Sequence, residues 1–180
     1  PFVFSNFKSE RINRGLAYYN MGLAYREKAM YLNEDEKNES PMYLNKAIKA
    51  YKNAARILKG DYDTRYNMAL TYHLLGDYQQ AGVNYCKAIE IKPMEYEAHY
   101  NLAILLRHLK KYKESLNELE KATLLVSNDK SNSNTSSYVF AMLNDVSKTL
   151  ADNNQYDYLL EKVNDEPTVT EGITYVKGKI

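Results

Sequence analysis

Tryptophan is missing from this chain, and its 180 residues include one cysteine, four prolines and seven glycines. Cys86 alone closes no internal disulfide and has no ligand set around it, so neither a stapled scaffold nor a structural zinc site is supported. Its expected role is a small buried side chain on a helix. The lack of disulfides fits a cytoplasmic setting and leaves other compartments open. So few glycines leave little material for phosphate-cradling loops. No GxSxG elbow, glycine-rich phosphate loop or HExxH helix occurs. We therefore assign no catalytic, cofactor-binding or metal-binding residues and expect no enzyme. Charge of one sign is lacking too: 24 Lys plus Arg face 23 Asp plus Glu. No global field draws the chain to nucleic acid or to an anionic membrane. No apolar run within it is long enough to span a bilayer.

Tyrosine is abundant, with 18 copies. The ring fills helix interfaces while its hydroxyl stays wet, which suits a fold with much half-buried surface. Tyr66-Asn67-Met68-Ala69 returns as Tyr100-Asn101-Leu102-Ala103, an offset of 34 positions. The same offset carries Tyr62 to Tyr96, Leu70 to Ile104, Tyr78 to Tyr112 and Ala88 to Ala122. A fixed period of this length marks a stack of helix-turn-helix units, each burying its apolar face only against a neighbour.

One unit spans 62–95. Asp61 is placed to cap its first helix, and Gly76 to end it in the left-handed conformation. Asp77 starts its second helix, and Pro93 blocks continuation. The next unit spans 96–127, with Lys110-Lys111 in place of Gly76-Asp77. An earlier unit at 15–61 keeps the register in its second helix, since Tyr51 precedes Tyr85 by 34. Its first helix does not: Tyr19 precedes Tyr66 by 47, which implies a 13-residue insertion. The inserted stretch is read as extra helix over Ala29 to Leu32, then a polar acidic loop from Asn33, with a helix restarting at Ser40-Pro41. Met30, Tyr31, Leu32, Met42, Tyr43 and Leu44 flank that loop and suggest a hairpin able to dock a partner or a second copy.

Residues 1–14 form a lead-in. Pro1-Phe2-Val3-Phe4, followed by Lys8, Arg11 and Arg14, reads either as an apolar cap over the first helix or as the trailing edge of an upstream membrane or signal segment. Residues 128–137 read as a Ser/Asn-rich connector. Residues 138–164 read as a degenerate capping pair, and 165–180 as a weakly ordered tail.

These residues resemble tetratricopeptide repeats. The pattern places a large aromatic, Leu-Gly and Tyr in the first helix, then Ala, an aromatic and Ala in the second. It is met by Tyr18, Met21-Gly22, Tyr25, Ala47, Tyr51 and Ala54. It is met again by Met68-Ala69, Tyr72, Gly76, Tyr78, Ala81, Tyr85, Ala88 and Pro93, and a third time by Leu102-Ala103, Leu106, Tyr112, Leu119 and Ala122. Arg65 and His99 replace the first aromatic, and Ser115 replaces an alanine. The resemblance implies an all-α, right-handed superhelical solenoid of antiparallel helix pairs, whose first helices line a concave groove.

It also implies that the groove holds a peptide segment or a helix of another protein. The matching columns are Tyr19, Tyr66 and Tyr100; Asn20, Asn67 and Asn101; Leu23, Leu70 and Ile104; and, one turn on, Arg26, His73 and Arg107. The Asn column is read two ways: a ladder that pairs with a bound main chain, or a scaffold position that ties neighbouring helices. Some members hold a terminal carboxylate with Lys, Asn and Arg. Here Leu23, Glu97 and Asn101 stand where such a set is needed, and only Asn67 fits.

The expected function is thus a scaffold, adaptor or chaperone-like module. Self-assembly, or a regulatory role within a larger enzyme or membrane protein, is the alternative. His73 and His108 lack further ligands and read as polar groove residues. Lys110, Lys111 and Lys113 around Tyr112, and Lys46 to Lys59 on one helix, read as solvated faces rather than a nucleic-acid site.

Overall fold

The computed structural model describes residues 2–128 and 141–150 apart from 143. All six main elements are α-helices: α1 Phe2–Met30, α2 Ser40–Ile57, α3 Tyr62–Leu75, α4 Tyr78–Ile91, α5 Tyr96–His108 and α6 Tyr112–Asn128. Residues 144–150 are helical as well. No strand occurs among the described residues. The all-α expectation holds, and the helices pair in chain order as α1 with α2, α3 with α4 and α5 with α6. The chain divides into two compact units, Pro1–Pro93 and Met94–Ile180.

Within the first unit the pairs run antiparallel. An added Cβ on Gly15 would meet Leu58, and one on Gly22 would meet Tyr51, so contact runs down α1 as it runs up α2. Likewise Tyr66 lies against Tyr85, while His73 lies against Tyr78. α2 also packs on α3. Ala47, Tyr51, Ala54, Ala69, Ala81, Tyr85 and Ala88 are all fully buried. In the second unit Leu116, Leu119, Ala122 and Val126 of α6 join Ala103, Val146 and Leu150 in one core.

The turns follow from local chemistry. The Asp61 carboxylate caps α3, accepting from the Thr64 backbone N–H at 2.9 Å. Gly76 sits at φ 82°, and the Gly76 and Asp77 N–H groups bond back to the His73 and Tyr72 carbonyls. This is a Schellman cap, which requires a left-handed residue. α5 ends the same way: Lys110 at φ 59° and Lys111 donate to Arg107 and Leu106. Position 110 is position 76 moved by one repeat, and a lysine there adopts the backbone that glycine adopts more easily.

Several expectations need correction. Residues 2–14 are part of α1 rather than a separate lead-in. The first helix stops at Met30, so Tyr31 and Leu32 do not extend it. The acidic stretch Glu34–Glu39 forms a 3-10 helix rather than a loop. Of the six apolar residues flanking it, Leu44 is core, Tyr43 stacks on Tyr25 and Leu32 is half-buried, leaving Met30, Tyr31 and Met42 exposed. Cys86 lies on α4 but is exposed, because its position turns away from α3. Residues 129–140 and 151–180, with most of the expected connector, capping pair and tail, lie outside the described residues.

The tightest approach is at Gly22. A Cβ there would sit 2.5 Å from Cε1 of Tyr51, whose ring is fully enclosed. Alanine in a helix interior gains about 0.5–1 kcal/mol over glycine. Overpacking a closed core costs about 1–3 kcal/mol. Gly22→Ala therefore lowers the thermal unfolding midpoint, and an unchanged midpoint would show that Tyr51 has room to move.

Candidate functional site

Eight of the twelve groove candidates lie in the first unit. Tyr19, Asn20, Leu23 and Arg26 come from α1, and Tyr66, Asn67, Leu70 and His73 from α3. The structure brings several of them together. Arg26 Nη1 donates to Asn67 Oδ1 at 2.7 Å. Asn67 Nδ2 donates to the Tyr19 hydroxyl at 3.1 Å and to the Asp63 carbonyl at 2.9 Å. Asn67 is buried, and both its amide protons and one lone pair on its oxygen are used within the chain. Asn20 differs: it is exposed.

Behind these residues lies a floor of rings. Tyr19 and Tyr51 have centroids 6.0 Å apart, and Tyr66 and Tyr85 6.2 Å apart. Tyr51 and Tyr85 come from the second helix of each pair, 34 positions apart. Burial pushes both hydroxyls well above the ordinary tyrosine pKa. Tyr19 is raised by burial first and then by Asp63 and Asp61. These phenols stay protonated and available as donors at neutral pH. His73 meets the Tyr85 hydroxyl through Nδ1 at 3.5 Å and packs edge-on to Tyr78. It thus turns towards its own partner helix.

Sequence reading missed one part of this face. Ile12, in the stretch expected as a lead-in, is 42% exposed, and Leu16, at the start of the first repeat, is 46% exposed. With Tyr19 and Leu23 they form a stripe at spacings of four, three and four along α1. Ile12 also lines a cleft of about 360 Å³ with Arg11, Ile57, Leu58, Lys59, Gly60 and Asp61. The spacing was the available signal, and grouping Ile12 with the lead-in hid it.

The second unit holds Tyr100, Asn101, Ile104 and Arg107. Tyr100 is half-buried against the α6 core. Asn101 Nδ2 donates to the Glu97 carbonyl at 2.9 Å. Arg107 pairs with Asp145 of the following helix, as Arg26 ties α1 to α3.

The two replaced aromatics have an explanation on the opposite helix. Arg65 Nη1 donates to Asn84 Oδ1 at 3.3 Å. His99, 4% exposed, meets Glu118 Oε2 through Nδ1 at 2.7 Å. Asn84 and Glu118 are themselves 34 apart, so each polar change on the first helix is answered on the second. Burial alone raises the Glu118 carboxyl, but hydrogen bonds from His99 and Lys121 outweigh it and hold the group below its ordinary value. No group of His, Cys, Asp and Glu suited to a metal occurs among the described residues. No described helix is long and apolar enough to cross a membrane.

Comparison with known proteins agrees with this geometry. The tetratricopeptide repeat model matches residues 62–93 and 96–126. The TPR domain of Arabidopsis OM64 is similar in fold, with a TM-score of 0.59 and 18% identity over 75% of this chain and 98% of that one. The TPR2B domain of yeast Sti1, solved as a pHsp70 complex, has a TM-score of 0.55 and 21% identity over 70% and 98%. Pseudomonas aeruginosa pilF has a TM-score of 0.60 and 18% identity over 94% and 72%. No curated protein sequence matches. Residues 62–93 and 96–126 are thus two tetratricopeptide repeats, and the all-α fold is similar to that of solved tetratricopeptide domains.

Asn67 holds two donors and an acceptor in place, so Asn67→Ala leaves Arg26 and Tyr19 without it. We expect a loss of about 1–3 kcal/mol in thermal or urea unfolding, the cost of stranding such partners. Exposed Asn20→Ala should change stability by less than about 0.5 kcal/mol. Equal effects would contradict the network.

The Glu118 contact has a pH signature. A carboxyl whose folded pKa is depressed stabilises fully above its unfolded value, here 4.5, and loses that contribution as pH falls through the folded value. Glu118→Gln should flatten the acid side of the midpoint-against-pH curve relative to wild type. Parallel curves would remove the contact from the stability balance.

Proposed function

We propose that the chain is a non-catalytic protein-interaction module that holds a partner's peptide segment or helix against the α1–α3 face of its first unit. One observation carries this reading. Ile12, Leu16, Tyr19 and Leu23 form a partly exposed apolar stripe on α1, tied to α3 through the Asn67 bond to the Tyr19 hydroxyl, with the exposed Asn20 amide along it. Aromatic and aliphatic area with fixed polar tips suits an amphipathic or extended segment. The repeat family supports the class, as does the yeast Sti1 domain, whose structure is a complex with pHsp70. An adaptor or chaperone-like role is the finer form of this proposal.

A second reading, self-association, has its own observation. Met21 is 40% exposed, whereas Met68, the same position in the next repeat, is 3% exposed in α3, which packs on α2. The outer face of the first pair thus carries apolar area that later pairs bury.

Photo-crosslinking separates the readings. A benzoylphenylalanine placed at Leu23 or Leu70 should capture one partner polypeptide, while one at Val83, exposed on α4, should not. Equal capture from position 83, or none from 23 and 70, would overturn the groove reading. Crosslinks from position 21 to a second copy of the chain would support self-association.

A further inference from the structure

We propose that the cleft between the α5–α6 turn and helix 144–150 receives an oxyanion, the phosphate or carboxylate group of a partner molecule. This site lies in the second unit and does not depend on the groove reading. The cleft measures about 310 Å³ and is lined by Ile104, Arg107, His108, Lys110, Tyr112 and Thr149. That volume is at the lower end of pockets that hold small ligands.

Among the described residues its lining carries basic groups and hydroxyls but no carboxylate. Asp145 takes Nη2 of Arg107. A guanidinium carries five N–H donors, so the fork keeps donors beyond that pair. Lys111 adds a further exposed cation beside the turn.

Lys110 is the decisive residue. It stands at φ 59°, a left-handed conformation disfavoured for any residue with a Cβ. The equivalent residue one repeat earlier is Gly76, at φ 82° with the same pair of backbone hydrogen bonds. The turn itself is therefore satisfied by glycine. A helix C-terminus attracts cations, which accounts for Arg107 and His108 in the last turn. It does not account for a lysine in the strained position beyond the end. The charge at the mouth of the cleft does. The Lys110 and Lys111 N–H groups are already bonded to the Arg107 and Leu106 carbonyls, so the side chains do the recognising. A forked guanidinium and a mobile ammonium together suit a group with several oxygens.

Lys110→Gly tests this without threatening the fold, because it removes the charge and relieves the strain together. Amide spectra would be recorded on wild type and variant during titration with inorganic phosphate or acetate, with chloride at matched ionic strength as reference. We expect saturable shifts confined to residues 104–112 and 149. In Lys110→Gly we expect binding weakened by about tenfold, as for the loss of a charge-assisted hydrogen bond, with a thermal midpoint no lower than wild type. The tighter of the two anions identifies the source. The proposal falls if neither anion gives saturable shifts, or if Lys110→Gly binds as wild type does. It also falls if the α2 lysines between Lys46 and Lys59 shift equally. A lowered midpoint in Lys110→Gly would contradict the strain on which the argument stands.

Discussion

Close approach of two helices at small residues is the constraint from which the rest of this structure follows. The column Gly22, Ala69 and Ala103 recurs at the repeat spacing on the first helix of each pair. The larger residues Tyr51, Tyr85 and Leu119, all fully buried, recur on the second. A small residue on the first helix lets the backbones come near enough for the large one to be enclosed on all sides. Ser115 shows how near: its hydroxyl reaches the Ala103 carbonyl at 2.8 Å, so the polar atom that replaced an alanine methyl is satisfied across the interface. The rings at this crossing also form the floor beneath Tyr19 and Tyr66. The packing that closes each pair thus determines what a partner would meet.

A second crossing shows how the repeats diverge without losing the fold. In register, the column Tyr18, Arg65 and His99 on the first helices corresponds to Ala50, Asn84 and Glu118 on the second. Where the first repeat has a ring and a methyl, the second sets a guanidinium beside an amide and the third an imidazole beside a carboxylate. A buried polar group costs little only when its partner is present. Neither change is tolerable alone, which explains why both members depart from the family pattern in the same repeat.

The 34-residue period made the helix pairs and their turns legible, because it reports a packing requirement that each unit must meet. Burial of single residues was less legible. Cys86 reads as buried by residue type, yet it and Lys52, one repeat earlier, are exposed, while Glu120, one repeat later, is buried. The length of α1 was missed because Phe2 to Asn13 repeats nothing later in the chain. The Asn column was legible as a pattern but not in its role. Asn67 depends on Arg26 and Tyr19, 41 and 48 positions away, and no local signal specifies such contacts.

That network restricts how the first-unit face can recognise anything. A peptide main chain that paired with the Asn67 donors would have to displace Tyr19 and the Asp63 carbonyl. The new bonds would replace existing ones, with little net gain. Binding energy must then come from groups that are not already engaged inside the chain. The stripe from Ile12 to Leu23 supplies apolar area, and exposed Asn20 supplies a polar contact outside the Asn67 network. Arg26, bonded to Asn67, holds α1 against α3 and so fixes the spacing of Tyr19 and Tyr66. In the proposed binding mode, polar residues in this face would act chiefly by preorganising the rings, and the rings and aliphatic side chains would carry the affinity.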